Sequence, residues 1–398
     1  MVVKKKLNKK VFILIAIVII AIILLLFIIL KPTSKNVSNI EPQGQIQDST
    51  AKNTTRIIAV GDQLPHDAIN KQALKPDGSY DYLQFYKEIK NNFNNVQGAY
   101  CNQEVPAAGS VAPISGYPVF NAPEQFAKDL SALGCNIINL ANNHMFDKGQ
   151  AGINATRAVW DTLPKKAIAG ANRNQEEQNS IQYFTENNIK FAYLAFAEYS
   201  NIPTSTNYAI NIYSEAVAKP LVTQAANNAD VVIVSMHWGT EYSPTENDFQ
   251  KTAAKVLAES GADVIIGAGP HVLQPVDKIV SEGGRETLVW YSLGNFLSAQ
   301  LDLASLIGGI AVMDFTKSEN GAKIDSIGFI PSYMHYEWTP EQKAADALLE
   351  RKNFMVYPLE KSAEPLSRSL FNTSVEAQTE YVKNVVNTHI NVPLLPTQ

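Results

Sequence analysis

Two apolar patterns run along this chain, and they separate cleanly. From Val11 to Leu30 every position is apolar, enough to cross a hydrocarbon layer of roughly 30 Å as one helix. From residue 56 onward the apolar stretches are short and alternate between strand-like and helical spacing. Arg56–Asp62 reads as a strand, Tyr80–Asn94 as a helix, Gln97–Glu104 as a strand and Ala122–Leu133 as a helix. Asn136–Asn142 is again a strand and Gly152–Leu163 a helix. Ser180–Glu186 and Ile189–Phe196 flank Asn187-Asn188, a hairpin signal. Ala229–His237 and Asp263–Ala268 read as strands on either side of a helix over Phe249–Ser260. From Pro275 to Tyr333 the pattern becomes successive strands broken at Gly283-Gly284 and Asn320-Gly321. Alternation followed by a run of strands predicts an α/β fold, with one mixed sheet or two packed sheets and helices outside. No internal repeat is visible.

The N-terminus adds a membrane expectation. Five lysines and no acid occupy residues 1–10, which predicts a cytoplasmic basic segment (1–10), a retained single-pass anchor (11–30) and an extracytoplasmic remainder. A cleaved signal peptide is the rival, but its apolar region would be ~7–15 residues and followed by small residues; here Lys31-Pro32-Thr33-Ser34 follows. Residues 31–55, rich in Ser, Asn, Gln and Thr, read as a flexible linker. The chain carries a net charge of −5, and residues 1–30 contribute five positive charges, so the remainder carries −10. Such a surface excludes a general nucleic-acid binder; an anionic ligand needs a local positive feature, which a bound metal would supply. Cys101 and Cys135 sit in apolar runs that read as buried strands, so both are expected as unpaired, small hydrophobes.

Candidate chemistry falls at the strand ends. Gly61-Asp62 closes one strand, with His66 after it; Asn102-Gln103-Glu104 closes the next. Asn142-Asn143-His144 closes a third, with Asp147 behind; His237-Trp238-Gly239 and Glu241 follow a fourth, and Gly269-Pro270-His271 a fifth. Gly294-Asn295 ends another apolar run. Carboxyl ends of strands are where open α/β sheets bind ligands, and oxygen donors mixed with imidazole suit Mn, Zn or Fe. Each feature alone has a bland explanation: Gly-Asp as turn chemistry, Asn142-Asn143 as a cap, His237 as a packed core histidine. Glu104, a carboxylate at the end of an apolar strand, needs a partner if buried. His335 and His389 fall outside the pattern.

These blocks, together with Gly170-Ala171-Asn172 and Tyr291-Ser292-Leu293-Gly294-Asn295-Phe296, are similar to the CapA family of poly-γ-glutamate capsule proteins over residues 56–296. That family in turn resembles calcineurin-like metallophosphoesterases. The resemblance implies a four-layer α/β/β/α sandwich over 56–340, preceded by the transmembrane helix and followed by a helical extension (341–398). It implies Asp62, Glu104, Asn143, His237 and His271 as metal ligands. It gives His144 the part of proton donor, with Asp147 and Glu241 grouped beside it as catalytic candidates and His66, Asn142, Trp238 and Asn295 as binding positions. Leu64 stands where the phosphoesterase pattern has a histidine, Glu104 where it has an aspartate, and Gly269 where it has the first histidine of His-x-His. One divalent metal per chain is therefore expected, with the second site short of a ligand. The implied function is capsular-polymer synthesis or export, acting on an acidic polymer or small anionic substrate beside other capsule-synthesis membrane subunits. A non-catalytic polymer-handling subunit and an extracellular metallophosphoesterase are the alternatives.

Overall fold

The computed structural model describes residues 54–318 and 321–398. The basic segment 1–10, the apolar run 11–30 and, apart from Thr54 and Thr55, the linker 31–55 lie outside the described residues. No helix among the described residues is long and apolar enough to cross a membrane.

The first strand explains where the fold centres. β1 (Thr54–Gln63) carries Ile57, Ile58, Ala59 and Val60 in succession, all buried. A strand apolar on both faces is stable only with both faces covered, so β1 sits inside a sheet. β2 (Gly98–Gln103), β3 (Ile137–Asn139) and β4 (Ala167–Ala169) extend that sheet in parallel. β5 (Gln182–Glu186) and β6 (Ile189–Ala197) form the expected hairpin; Asn187 and Asn188 take the positive φ values, 46° and 64°, that a two-residue turn demands. This hairpin opens a second sheet, continued in parallel by β7 (Val231–His237) and β8 (Val264–Ala268). β9 (Val276–Val280) and β10 (Glu286–Trp290) complete its order, β5-β6-β7-β8-β10-β9. The chain then returns to the first sheet. Short β11 (Asn295–Leu297) pairs with the end of β1, and β12 (Ile307–Ser318), β13 (Gly321–Glu337) and β14 (Lys352–Pro358) give the order β14-β13-β12-β1-β2-β3-β4.

The sheets face each other through side chains. The Tyr100 and Ser235 hydroxyls lie 2.7 Å apart, Phe191 meets Phe315 edge-on at 5.4 Å, and Trp290 stacks on Phe329 at 6.0 Å. After α1 (Asp67–Ala73), helices α2 (Glu124–Leu133) and α3 (Gly149–Asp161) pack their apolar sides, including Phe126, Leu130, Ile153 and Trp160, with the first sheet. α4 (Glu215–Ala226) and α5 (Asp248–Glu259) form a separate core with the outer face of the second sheet. The mixed-sheet α/β fold expected from the pattern is thus present.

Three expectations need correction. Cys101 and Cys135 are joined as a disulfide, with Cα atoms 5.7 Å apart; Gly134, at φ 121°, ends α2 and turns Cys135 back beside β2. Both cysteines are buried as expected, but burial alone does not keep two thiols apart. Tyr80–Asn94 folds as two 3₁₀ turns, Leu83–Tyr86 and Lys90–Phe93; the Asn92 side chain donates to the Ile89 carbonyl at 2.9 Å, competing with helical pairing. The segment 341–398 contains α6 (Val375–Val386) and shorter helical turns but also β14, which lengthens the first sheet, so it is not helical throughout.

Candidate metal centre

Sheet register assembles the site. At the end of β1, Asp62 lies opposite Asn295 of β11 on one side and Asn102 of β2 on the other, and Asn102 lies opposite Asn139 of β3. The three side chains form a relay: Asn139 Nδ2 donates to Asn102 Oδ1 (2.8 Å), and Asn102 Nδ2 donates to Asp62 Oδ1 (2.7 Å). Gly61 makes the approach possible, since a Cβ there would sit 1.8 Å from the Gly294 carbonyl oxygen. Asp62 further accepts from the Gly269 amide (3.3 and 3.2 Å to its two oxygens) and from His271 Nδ1 (3.0 Å).

β7 delivers His237 by alternation. Val231 and Ile233 join the core between the sheets, and Ser235 reaches Tyr100 across it. His237 continues that parity. Val232, Val234, Met236 and Trp238 point the other way, into the core under α4 and α5. Trp238, expected at the ligand, is therefore a packing residue; its indole donates to the Tyr291 carbonyl at 2.9 Å.

Asp62, Glu104 and His237 are buried and offer ligand atoms all within 4.8 Å of one another. Neither Glu104 oxygen nor His237 Nδ1 has a hydrogen-bond partner, and both polar atoms of the buried Asn143 amide are likewise unmatched. Orphaned buried polar atoms of this kind cost about 1–3 kcal/mol each, and a divalent cation would satisfy the acceptors among them, the Glu104 oxygens, His237 Nδ1 and Asn143 Oδ1, together. Burial pushes the His237 imidazole down to about 3, leaving the neutral form that ligates metal. Burial drives the Glu104 carboxyl well above its ordinary value. The same effect on Asp62 is outweighed by hydrogen bonding and charge from His271, so that carboxyl lies below its usual range. For His271, burial opposes protonation, but Glu104 and Asp62 overcome it and raise the ring to about 10.

His271 is thus in the cluster but differently employed from the expected ligand. Its Nδ1 is shared between Asp62 and Asn295 Oδ1 (3.0 Å each), and its Nε2 lies 3.7 Å from Glu104. The residue holds a φ of 60°, a conformation unusual outside glycine and a mark of a functionally constrained position. Asn295 holds His271, and its Nδ2 donates to Gln300 Oε1 and the Ser305 carbonyl. The absent histidine at 269 also has a structural cause: Gly269 has φ 108°, and a Cβ there would meet the Trp238 carbonyl at 2.9 Å and His237 Nε2 at 3.1 Å.

After β3, the turn carrying Asn142, Asn143 and His144 splits its labour. Asn142 Nδ2 donates to the Gln103 carbonyl at 3.0 Å and braces the backbone before Glu104. His144 Nδ1 donates to Asp147 Oδ2 at 2.8 Å, and that oxygen also accepts the Phe120 amide. Asn201 Nδ2 lies 3.2 Å from His144 Nε2. Above these residues opens a cleft of about 330 Å³ lined by His66, His144, Glu241 and His271, with Tyr242, Leu348 and Arg351. Burial, followed by the nearby Arg351 charge, pushes His66 down to about 3. Asn139, Asn201 and Arg351 were not among the sequence candidates. None of the three ended an expected strand, and Asn139 falls inside the one read over Asn136–Asn142.

Comparison with known proteins agrees with the motif blocks. The chain is 29% identical to "PGA biosynthesis protein CapA" of Bacillus subtilis over 180 residues, 44% of this chain and 46% of that one. It is 31% identical to "Capsule biosynthesis protein CapA" of Bacillus anthracis over 188 residues, 45% of this chain and 44% of that one. It therefore spans less than half the length of each of these relatives. Among solved structures, the calcineurin-like phosphoesterase YfkN of Bacillus subtilis aligns over 70% of this chain and 90% of its own, at 14% identity and a TM-score of 0.36. Residues 56–300, well over half of the sequence, match the family described as bacterial capsule synthesis protein PGA_cap, and the chain belongs to that family.

Proposed function

We propose that this chain is a membrane-tethered, extracytoplasmic member of the capsule-synthesis machinery, acting on an acidic polymer of the poly-γ-glutamate kind through a one-metal, hydrolase-like centre. The observation that carries this reading is the buried Asp62–Glu104–His237 group, in which both Glu104 oxygens and His237 Nδ1 are unmatched. Those three residues would hold the metal, with the Asn143 amide the fourth candidate. Mn, Zn or Fe bound there would polarise a water, carbonyl or phosphoryl oxygen. His144 would serve in proton transfer: with Nδ1–H on Asp147, Nε2 accepts from Asn201 in the fold as it stands and is the atom that would exchange a proton with substrate. Glu241, exposed on the cleft wall, faces arriving substrate. Export is supported by the disulfide, a bond that persists in oxidising compartments, and by the lysine-flanked apolar run, which would set the protein beside other membrane subunits of capsule synthesis.

Elemental analysis of the purified chain is expected to give one equivalent of metal, lost in Asp62→Asn, with capsule production lost alongside. His144→Asn should abolish capsule production while retaining the metal. A metal-free wild type together with full capsule production by Asp62→Asn sinks the metal reading. Phosphoester hydrolysis without any effect on capsule moves the protein to the phosphoesterase alternative. Protease added to intact cells should degrade the folded part; its protection in intact cells, and cleavage only after lysis, ends the exported reading.

A further inference from the structure

We infer that Arg351, supplied by the C-terminal segment beyond the family-matched residues, is the anion-recognition residue of the cleft and grips an oxyanion of the substrate. Arg351 lines the same cavity as His144 and His271 yet is only 3% exposed. Its guanidinium packs over the rings of Tyr336 (5.2 Å) and Trp338 (5.8 Å), and Nη2 donates to the Leu348 carbonyl at 3.0 Å. Nε and Nη1 are buried with no hydrogen-bond partner. No ion pair among the described residues involves this side chain: Asp346 acts on it only through space, and the carboxylates that line the cleft, Asp67, Glu241 and Asp302, are exposed.

A guanidinium is always charged, and burying one without a counter-ion is among the costlier arrangements in a protein. Here the aromatic faces cover its plane, and Nε and Nη1 are left without acceptors. One of these donors, together with the Nη2 hydrogen that the Leu348 carbonyl does not take, makes the fork that receives a carboxylate or phosphate through two parallel bonds. Arg351 lines one cavity with His66, His144 and His271, the last of which is bonded to Asp62 of the carboxylate cluster. A ligand spanning Arg351 and that cluster would place its reacting group over the cluster and an acidic group on Arg351. This suits a repeating polyacid, in which a carboxylate recurs at each unit, as well as a phosphate ester.

The inference rests on the cleft being the substrate site proposed above, so the test reads metal and anion separately. Calorimetry on the full chain would use a short γ-linked glutamate oligomer in one arm and inorganic phosphate in the other. Arg351→Gln should weaken the preferred anion tenfold or more, and Arg351→Lys, which keeps charge but loses the fork, by a smaller factor. Metal content should stay at the wild-type level in both. The arm that responds identifies carboxylate or phosphate as the recognised group. Affinity within twofold of wild type in Arg351→Gln, or wild type binding neither anion, overturns the inference. Arg351-dependent binding in a Glu104→Gln protein without metal upholds it even as the metal reading fails. Should both Arg351 variants misfold, a crystal of the unsubstituted protein with the oligomer decides: a carboxylate on Arg351 supports the assignment, and an ordered oligomer elsewhere overturns it.

Discussion

Asp62 and Glu104 are both fully buried carboxylates, yet the protein treats them in opposite ways. Asp62 accepts from Asn102, Gly269 and His271, whereas neither Glu104 oxygen accepts a hydrogen bond. Burial already favours the protonated form of Glu104, and glutamine closely mimics that form. Glu104→Gln should therefore melt in chelator at or above the wild-type temperature, while losing metal. Asp62→Asn turns an amide against donors that expect an acceptor, at about 1–3 kcal/mol per mismatch, and should melt lower in the same chelator. Equal melting temperatures for the two variants would contradict this division of roles. The sequence made Asp62 and His237 legible because each ends an apolar strand, where ligand chemistry concentrates. It misled at Trp238, because adjacent residues on a strand cannot face the same side. Arg351 was invisible: it follows the last motif by more than fifty residues and reaches the cleft only through packing on Tyr336 and Trp338.

Among the elements, β2 bears on both stability and chemistry. Cys101 precedes Asn102, which orients Asp62, and the disulfide ties that point to Cys135 just ahead of β3, across a sequence separation of 34. Loop-closure entropy for such a span gives about 4 kcal/mol, and engineered examples often deliver less. Cys135→Ser, or reduction of the native bond, should cost about 2–4 kcal/mol in denaturant unfolding. Unfolding curves that coincide with and without reductant, in protein verified as fully reduced, would refute that role. Most strands were readable from their apolar runs to within a few residues, because burial on both faces leaves little room for polar interruption. Helices were harder. α4 carries Pro220 in its interior, which reads as a helix breaker; Val222 and Ala225 facing the second sheet override that local preference. The pairing of β14 with β13 joins the C-terminal segment to the first sheet, and no local signal in residues 352–358 announces a sheet partner.

At the scale of the whole molecule, buried histidines should set the response to acid. Burial lowers His66, His237 and His335, the first two to about 3. Each stays neutral in the folded protein while its counterpart in the unfolded chain takes up a proton near pH 6.5. The unfolded state then binds more protons, so stability is complete above about pH 6.5 and falls as the pH drops below it, for His66 and His237 down to about 3, by at most about 1.4 kcal/mol per pH unit for each of these two. Glu337 acts in the same direction lower down. Burial opposes its ionisation, but hydrogen bonds from His335, Arg368 and Asn353 prevail and hold it at about 2, so its contribution is present above about pH 4.5 and is lost between there and pH 2. His271 has the opposite sign: raised to about 10, its contribution is complete below pH 6.5 and disappears as the pH rises through 10. Denaturant unfolding in chelator should therefore show a plateau near pH 6.5 and a decline on either side. Glu337→Gln should flatten only the acid limb below about pH 4.5, and bound metal should steepen the acid limb, because burial drives the Glu104 carboxyl up and protons then compete with metal for it. A protein that grows more stable between pH 6.5 and 5 in chelator would show that these imidazoles are charged in the fold, and with that the neutral His237 on which the metal centre depends would be lost.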